Sequence, residues 1–323
     1  MEPYFKSPFG TLYNGDVLEV LRQIADNSID CCITSPPYWA LRDYGFDGQI
    51  GSEKDFHTYI ENLWEIFTEV YRVLKPVATC WVNLGDTYAG SGGTDNKSLL
   101  NSKQVYSNSA GIKSGKVKGL KNKSLCNIPA RFAIGMTDRG WILRNEIIWH
   151  KPNALCTSVK DRFTVDFEKI FFFTKNEKYY FEQQFEPLKQ STFVKAKNKY
   201  ITNRYNDKKV SLSSDNTRKY YEKLNNGEFK ERNKRTVWSM ATKGFGGQHF
   251  AVFPPKLPRN CIKAGCPEKG TVIDIFIGSG TTALEAQKLN RKWIGIDKNP
   301  EYCNIITKRV KEDTRQMTIW EAE

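Results

Sequence analysis

The stretch from Thr271 to Asp297 restricts the fold more than any other part of this chain. Thr271-Val272-Ile273-Asp274-Ile275 is a β-branched run that passes into Phe276-Ile277-Gly278-Ser279-Gly280-Thr281-Thr282. Ala283-Leu284-Glu285-Ala286-Gln287-Lys288-Leu289 then follows with helical spacing. A second apolar run, Lys292-Trp293-Ile294-Gly295-Ile296, ends in Asp297, seventeen residues beyond Gly280. Strand, turn, helix and strand in this order make a crossover unit, so an α/β fold with a mostly parallel sheet is expected. Gly278 and Gly280 let the backbone approach a ligand closely, and the helix start offers free N–H groups. An acid at the tip of the second strand is placed to accept hydrogen bonds from two ribose hydroxyls. The spacing is that of a nucleoside-binding unit, and GSG in place of GxGxxG argues against a dinucleotide.

A second signal lies far upstream. The apolar run Ile29-Asp30-Cys31-Cys32-Ile33 stops at Thr34-Ser35-Pro36-Pro37-Tyr38-Trp39. Two prolines fix φ at consecutive positions and push Ser35 towards an extended conformation. A strand ending in this way presents a hydroxyl, rigid carbonyls and an aromatic face, which suits a flat ring bearing an amino group. A proline-rich strand exit with Tyr38 and Trp39 as core aromatics is the plainer alternative.

Together these motifs resemble those of the DNA amino-methyltransferases, which methylate exocyclic nitrogens with S-adenosyl-L-methionine. Serine at the head of SPPY resembles the cytosine-N4 branch, and the tetrapeptide preceding the glycine turn resembles the permuted, β-type motif order. Tyr13-Asn14-Gly15-Asp16-Val17-Leu18, Ile147-Ile148-Trp149-His150-Lys151-Pro152-Asn153 and Phe253-Pro254-Pro255-Lys256-Leu257-Pro258 are similar to further family segments. The likeness covers residues 11–89, roughly 125–181 and 250–310. It implies a Rossmann-like, S-adenosylmethionine-dependent methyltransferase fold with an inserted target-recognition region. It also implies duplex DNA as substrate, a cognate restriction endonuclease as possible partner, and a monomer or homodimer.

The resemblance assigns catalysis to Ser35, Pro36, Pro37 and Tyr38. The exocyclic amine of cytosine is a poor nucleophile because its lone pair is delocalised into the ring. Ser35 Oγ and the Pro36 carbonyl could accept its two N–H hydrogens, and Tyr38 could stack on the base once it leaves the helix. Carbon-5 methylation instead needs a cysteine nucleophile, usually after proline; the chain has Cys266-Pro267 and no Pro-Cys. On the cofactor side, Gly278, Ser279, Gly280 and Thr281 form the turn, and Asp297 takes the ribose. Asp16 is the family's partner for the adenine amino group, or a helix N-cap for the residues that follow. Asp274 contacts the methionine ammonium, or is a structural acid at a strand end. Lys256 reaches the carboxylate end, or is a solvated lysine; Phe276 packs near the adenine, or in the core.

Charge points to the same substrate. The net charge is +13 in 323 residues. Lys97–Lys123 carries seven lysines and no acid, and Lys189–Arg235 carries fourteen basic against five acidic residues, so the remainder is slightly acidic. A near-neutral body with two basic segments suits a phosphate-rich partner, although solvated basic loops have the same composition. Residues 1–181 are therefore expected to form the catalytic half, with a mobile basic loop at about 90–124. Residues 182–249 are the target-recognition insertion and 250–323 the cofactor half. In the insertion Arg204, Arg218, Arg232 and Lys234, with Asn203, Asn206 and Asn233, are candidates for DNA contact, and Gly244-Phe245-Gly246-Gly247 reads as a hinge.

Elsewhere, Phe56–Leu74 has helical spacing and stops before Pro76, Glu146–His150 and Lys169–Thr174 read as strands, and Pro300–Val310 reads as a helix. The tail after Val310 gives no clear signal. Eight cysteines without a histidine cluster predict reduced thiols and no metal site. With no leader and no apolar run of membrane length, a cytoplasmic protein of a bacterial or phage-infected cell is expected, associated with the nucleoid through DNA. Adenine-N6 methylation, methylation of a protein amide, and a catalytically silent DNA-binding protein of the same fold stay open as alternatives.

Overall fold

In the computed structural model, residues 1–40, 48–90, 117, 119–154, 156–189, 191, 223, 226, 231–242 and 253–322 are described. The strands are β1 (Phe5–Lys6), β2 (Gly10–Asn14), β3 (Ile29–Thr34), β4 (Leu74–Leu84), β5 (Ile142–His150), β6 (Phe167–Thr174), β7 (Phe185–Pro187), β8 (Glu231–Asn233), β9 (Val237–Ser239), β10 (Thr271–Asp274) and β11 (Lys292–Asp297). The helices are α1 (Val17–Leu21), α2 (Phe56–Val73), α3 (Ile128–Asp138), α4 (Lys256–Gly265), α5 (Thr281–Lys288) and α6 (Pro300–Ala322). Nine of the strands make one sheet in the order β1-β2-β11-β10-β3-β4-β6-β5-β9. Its centre, β2-β11-β10-β3-β4, is parallel throughout, as the crossover pattern predicts. β6 runs antiparallel between β4 and β5.

The central strands are apolar at consecutive positions because both faces of the sheet are covered. Side chains alternate along each strand. Cys32, Cys80, Val82, Phe171, Phe173 and Ile273 therefore pack with α1, α2 and α3 on one side. Cys31, Ile33, Trp81, Phe172, Val272 and Trp293 pack with α4, α5 and α6 on the other. α2 buries Phe56, Tyr59, Ile60, Leu63, Ile66, Phe67, Val70 and Val73, a stripe of helical period, and Asp55 caps its start by accepting from His57 N and Thr58 N. On the opposite face Trp81 and Phe172 stack with ring centroids 4.0 Å apart.

Three stretches differ from the sequence expectation. α2 passes into β4 at Leu74, so Pro76 lies inside a strand. The register with β3 jumps there from Ile29↔Leu74 to Cys31↔Thr79, and the irregular stretch spares the proline a ladder hydrogen bond. α6 continues past Val310 to Ala322. β9 falls within residues 182–249 yet joins the main sheet, parallel to β5.

The chain divides into two compact units, residues 1–182 with 236–323, and residues 183–235. In the smaller unit β7 and β8 pair antiparallel, with Phe185 opposite Asn233 and Glu186 opposite Arg232. Most of the basic loop at 90–124, and the segment 243–252 with its four-residue hinge, lie outside the described residues. The near ends of that loop are tied together, since Ala89 N donates to Ser124 O and Lys123 N to Ala89 O, each at 2.8 Å. Among the described residues, no helix is long and apolar enough to cross a membrane, and all eight cysteines are free thiols.

Phe171 is fully buried against Phe173 and Phe132, with centroids 5.9 and 6.5 Å away. Phe171→Ala is expected to lower unfolding free energy by about 3–5 kcal/mol, combining lost burial with a cavity. Urea titration would register this as a lower midpoint with an unchanged slope.

Candidate active site

From β10 the chain turns through α5 to β11 on one side, and from β3 through α2 to β4 on the other. Neighbouring parallel strands whose connections diverge leave a crevice beyond their carboxyl ends. The sequence candidates gather at this edge. Ser35–Tyr38 follow β3, Asp274 ends β10, Phe276 and Gly278–Thr281 follow it, Asp297 ends β11, and Asp16 lies two residues past β2. β6 and β5 place more of the chain on the same edge. Antiparallel pairing puts Lys169 opposite Leu84 at the end of β4, and Phe167 opposite His150 at the end of β5.

The turn between β10 and α5 depends on its glycines. Gly278 has φ +51° and Gly280 φ +81°, the left-handed region that favours residues without Cβ. A Cβ on Gly280 would come 3.1 Å from Ile306, whereas one on Gly278 would find nothing nearer than 3.9 Å. Asp297 holds the turn from the next strand: Oδ2 accepts from Gly278 N at 2.9 Å and Oδ1 from Asn299 N at 2.8 Å. Asp274 accepts from Thr282 Oγ1 at 2.6 Å and Phe276 N at 3.2 Å. Burial pushes the carboxyl of Asp297 up to about 7 and that of Asp274 up to about 6, against the hydrogen bonds that favour their anions. Neither has an ion-pair partner among the described residues, so the pair suits a cationic ligand with hydroxyls to donate. Ser279 Oγ is buried 3.3 Å from Thr281 Oγ1, and Ser279 O accepts from the Arg309 guanidinium.

The remaining cofactor candidates are more exposed. Asp16 caps α1, accepting from Leu18 N at 3.0 Å, with Lys298 Nζ 3.8 Å from its other oxygen. Its neighbour Gly15 donates N–H to Asp297 O, which keeps Asp16 beside the turn. Phe276 is half-buried against the core. Lys256 is the first residue of α4 and is exposed.

The tetrapeptide loop is braced at several points. Tyr59 Oη donates to Pro37 O at 2.8 Å, and Trp39 Nε1 to Glu53 O at 2.9 Å. Gly51 N donates to Glu53 Oε2, and Ala40 N to Gly51 O. Tyr38 Oη donates to Glu168 Oε2 at 2.7 Å and lies 3.2 Å from Asn83 Oδ1; Ser35 Oγ is 3.5 Å from the same phenol oxygen. Burial first, then the Glu168 carboxylate, raises the Tyr38 phenol well above its usual range. Asp86, whose carboxylate accepts from Thr87 N and Ile128 N, is also raised by burial.

The sequence reading did not single out Glu168, which with Asn83 and Lys151 forms a cluster at the Tyr38 hydroxyl beside the tetrapeptide loop. The available signal was polarity at the end of an apolar strand: Asn83 within Trp81-Val82-Asn83-Leu84, and Glu168 just before Ile170-Phe171-Phe172-Phe173. Of the DNA-contact candidates, Arg232 Nε donates to Glu186 at 2.9 Å, Lys234 N donates to Gln184 O, and Asn233 Oδ1 accepts from Gln183 at 2.6 Å. Arg204, Arg218, Asn203 and Asn206 lie outside the described residues. No group of three or more His, Cys, Asp or Glu suited to a metal ion occurs among the described residues.

Comparison with known proteins gives a consistent picture. A family model described as DNA methylase matches residues 29–308. The chain is 39% identical over 311 residues to the Type II methyltransferase M.Cfr9I of Citrobacter freundii, covering 96% of this chain and 90% of that protein. It is 37% identical over 297 residues to M.SmaI of Serratia marcescens, covering 92% and 89%. Among solved structures, the PvuII DNA methyltransferase (cytosine-N4-specific) superposes with a TM-score of 0.59 at 22% identity, covering 93% of this chain and 86% of that one. A candidate DNA modification methylase of Thermus thermophilus, in complex with S-adenosyl-L-methionine, gives a TM-score of 0.53 at 19% identity, covering 94% and 93%.

The raised carboxyls make stability pH-dependent. Between the unfolded carboxyl pKa of about 4 and the folded value of about 7 for Asp297, the folded state keeps a proton that the unfolded chain has released. Stability is therefore fully present below about pH 4 and is lost as pH rises through 7, by about 1.4 kcal/mol per unit of difference at most. The thermal midpoint of the free protein is expected to fall from pH 5 to pH 7, and Asp297→Asn to flatten that fall.

Proposed function

Because this chain belongs to the DNA methylase family of N6 and N4 amino-methyltransferases, we propose that it methylates the exocyclic N4 of cytosine within a specific sequence of duplex DNA. The family already makes it a site-specific Type II methyltransferase that uses S-adenosyl-L-methionine on the fold described above. The base is the finer reading, and one observation carries it: Ser35 heads the Pro-Pro-Tyr loop beside the glycine turn. The cytosine-N4 specificity of the PvuII enzyme, which shares the fold, supports the same choice.

The residues present fit the cofactor. Two desolvated carboxylates without a cationic partner, Asp274 and Asp297, suit a ligand bearing an ammonium, a sulfonium and ribose hydroxyls. A Cβ on Gly278 would meet only Phe276 O, at 3.9 Å, so the turn is not crowded there. Asp297 would hold the ribose and Asp16 the adenine amino group, with Phe276 beside the ring. Asp274, Gly278–Thr281 and Lys256 would take the methionine portion. When bound, S-adenosyl-L-methionine supplies an electrophilic methyl group.

The protein's own contribution is to hold the amine. A cytosine inside the duplex is out of reach, so the base must leave the stack. Tyr38 offers it an aromatic face. Ser35 Oγ and Pro36 O accept the two amine hydrogens, which favours a pyramidal nitrogen with a localised lone pair. Pro37 O already receives the Tyr59 hydroxyl, which leaves the Pro36 carbonyl for this task. Positioning of this kind supplies much of the rate when the donor is already activated.

Lys189–Arg235, the second basic segment, would read the target sequence, with Arg204, Arg218, Arg232 and Lys234 among its contacts. The Type II relatives support a cognate restriction endonuclease that reads the same site.

The test is transfer of labelled methyl to unmethylated duplex DNA, followed by mass analysis of the nucleosides. N4-methylcytosine is expected, with kcat reduced on the order of 10²–10³-fold in Ser35→Ala, the scale of one lost oriented polar contact at the reacting centre. N6-methyladenine would keep the pocket and overturn the base.

A further inference from the structure

Glu168 stands at the centre of a polar cluster in which, Tyr38 apart, the proposed function gives no member a role. Its carboxylate accepts from three separate parts of the chain. Tyr38 Oη, from the loop after β3, donates to Oε2 at 2.7 Å. Asn83 Nδ2, near the end of β4, donates to the same oxygen at 3.1 Å and to Lys169 O at 3.2 Å. Lys151, the residue after β5, pairs with Oε1. The side chains of Glu168 and Lys151 are only 17% and 20% exposed, so this carboxylate has given up most of its water and depends on these donors.

The Tyr38 ring is confined along its side as well as at its tip. A Cβ on Gly85 would sit 2.5 Å from Cε2, 2.8 Å from Cδ2 and 3.2 Å from Cζ, so the backbone of Gly85 closes over one face of the ring on that side. A phenol needs no hydroxyl to stack on a base, and phenylalanine would offer the same face without placing a carboxylate in a desolvated site. The hydroxyl therefore does something that stacking alone does not require. Its bond to Glu168 ties the catalytic loop to β6, across β4, and fixes rotation about the side-chain torsions that a free ring would sample.

We propose that Glu168 is a positioning residue which, through the Tyr38 hydroxyl, sets the plane of the ring on which the target base stacks. Lys151 and Asn83 hold the Glu168 carboxylate in the orientation that bond requires. This rests on the reading of Tyr38 as the stacking partner of an extruded base, and it holds for cytosine or adenine alike. Glu168 touches neither base nor cofactor in this scheme, so its loss acts on kcat and leaves cofactor affinity alone.

The experiment compares the full-length parent with Tyr38→Phe, Glu168→Gln, Glu168→Ala and the double variant Tyr38→Phe/Glu168→Ala. Labelled methyl transfer to unmethylated DNA gives kcat and KM, and titration with S-adenosylhomocysteine gives cofactor affinity. A duplex with 2-aminopurine at the target position, once that position has been mapped by sequencing methylated DNA, reports stacking of the extruded base. Tyr38→Phe and Glu168→Ala are each expected to lower kcat about tenfold, the scale of one lost hydrogen bond. The double variant should fall no further, because both changes remove one interaction. Glu168→Gln, which keeps an acceptor for the phenol, should recover part of the rate, and 2-aminopurine should be brighter in the slow variants than in the parent.

Unchanged kcat and fluorescence in Tyr38→Phe and Glu168→Gln would overturn the proposal, and those two variants decide the matter even if Glu168→Ala fails to fold. Multiplicative losses in the double variant would also overturn it, since Glu168 would then act apart from Tyr38. A parent that transfers no methyl to any DNA would instead overturn the functional reading on which the proposal rests.

Discussion

Asp30 and Thr271 are 241 residues apart in sequence, and the hydrogen bond between them holds the centre of the sheet. Asp30 Oδ2 accepts from Thr271 N at 2.9 Å while Oδ1 takes Lys75 Nζ at 2.7 Å, so one nearly buried carboxylate joins the starts of β10, β3 and β4. A buried acid that loses such partners is strongly destabilising. The pairing it anchors, Val272 opposite Cys31 and Ile273 opposite Cys32, decides the site. Because Cys32 and Ile273 are level, β3 ends at Thr34 within one residue of the level at which β10 ends at Asp274, and the chain after each leaves at the same edge. A slip of one residue would turn Cys31 and Cys32 to the wrong faces, so two buried faces make the register steep in energy.

Buried carboxylates of this protein meet the loss of water in two ways. Asp30 and Glu168 lose water but gain a lysine and oriented donors, and Glu186 gains two arginines. Asp274 and Asp297 lose water and gain only hydroxyl and backbone donors, and burial raises both. Both stand short of positive charge at the carboxyl ends of adjacent central strands, which is the feature the cofactor reading above rests on. A bound cation would complete them, which is why perturbed acids in a crevice mark a site better than acids as such.

How much of this was legible in the sequence depends on the range of the interaction. The βαβ unit, the α2 stripe and the proline loop rest on contacts within about thirty residues, and periodicity or turn chemistry encodes those directly. Pro76 misled because a proline marks the end of a helix equally well when the chain breaks off or passes straight into an irregular strand. β9 was hidden because three residues, Val237–Ser239, carry too little alternation to signal a strand. Glu168 was the costly omission. Its partner Tyr38 lies 130 residues away, and nothing local separates it from a solvated acid at a strand start. Asp16 was readable as a cap or as a ligand, and the structure gives it the cap while keeping it beside Asp297, so the two readings were never exclusive.

The order of motifs along the chain matters less than the edge on which they end. In a parallel sheet, function depends on which carboxyl ends are adjacent, and β3 and β10 would be adjacent whichever came first. The chain finishes β6 at Thr174 and must return to begin β10 at Thr271 in the middle of the sheet, so a long connection is unavoidable. Lengthening a connection that already exists costs little, since closure entropy grows only with the logarithm of loop length. Residues 183–235 occupy that connection as a compact unit of their own. Sequence there can therefore change without altering the β3–β10 register.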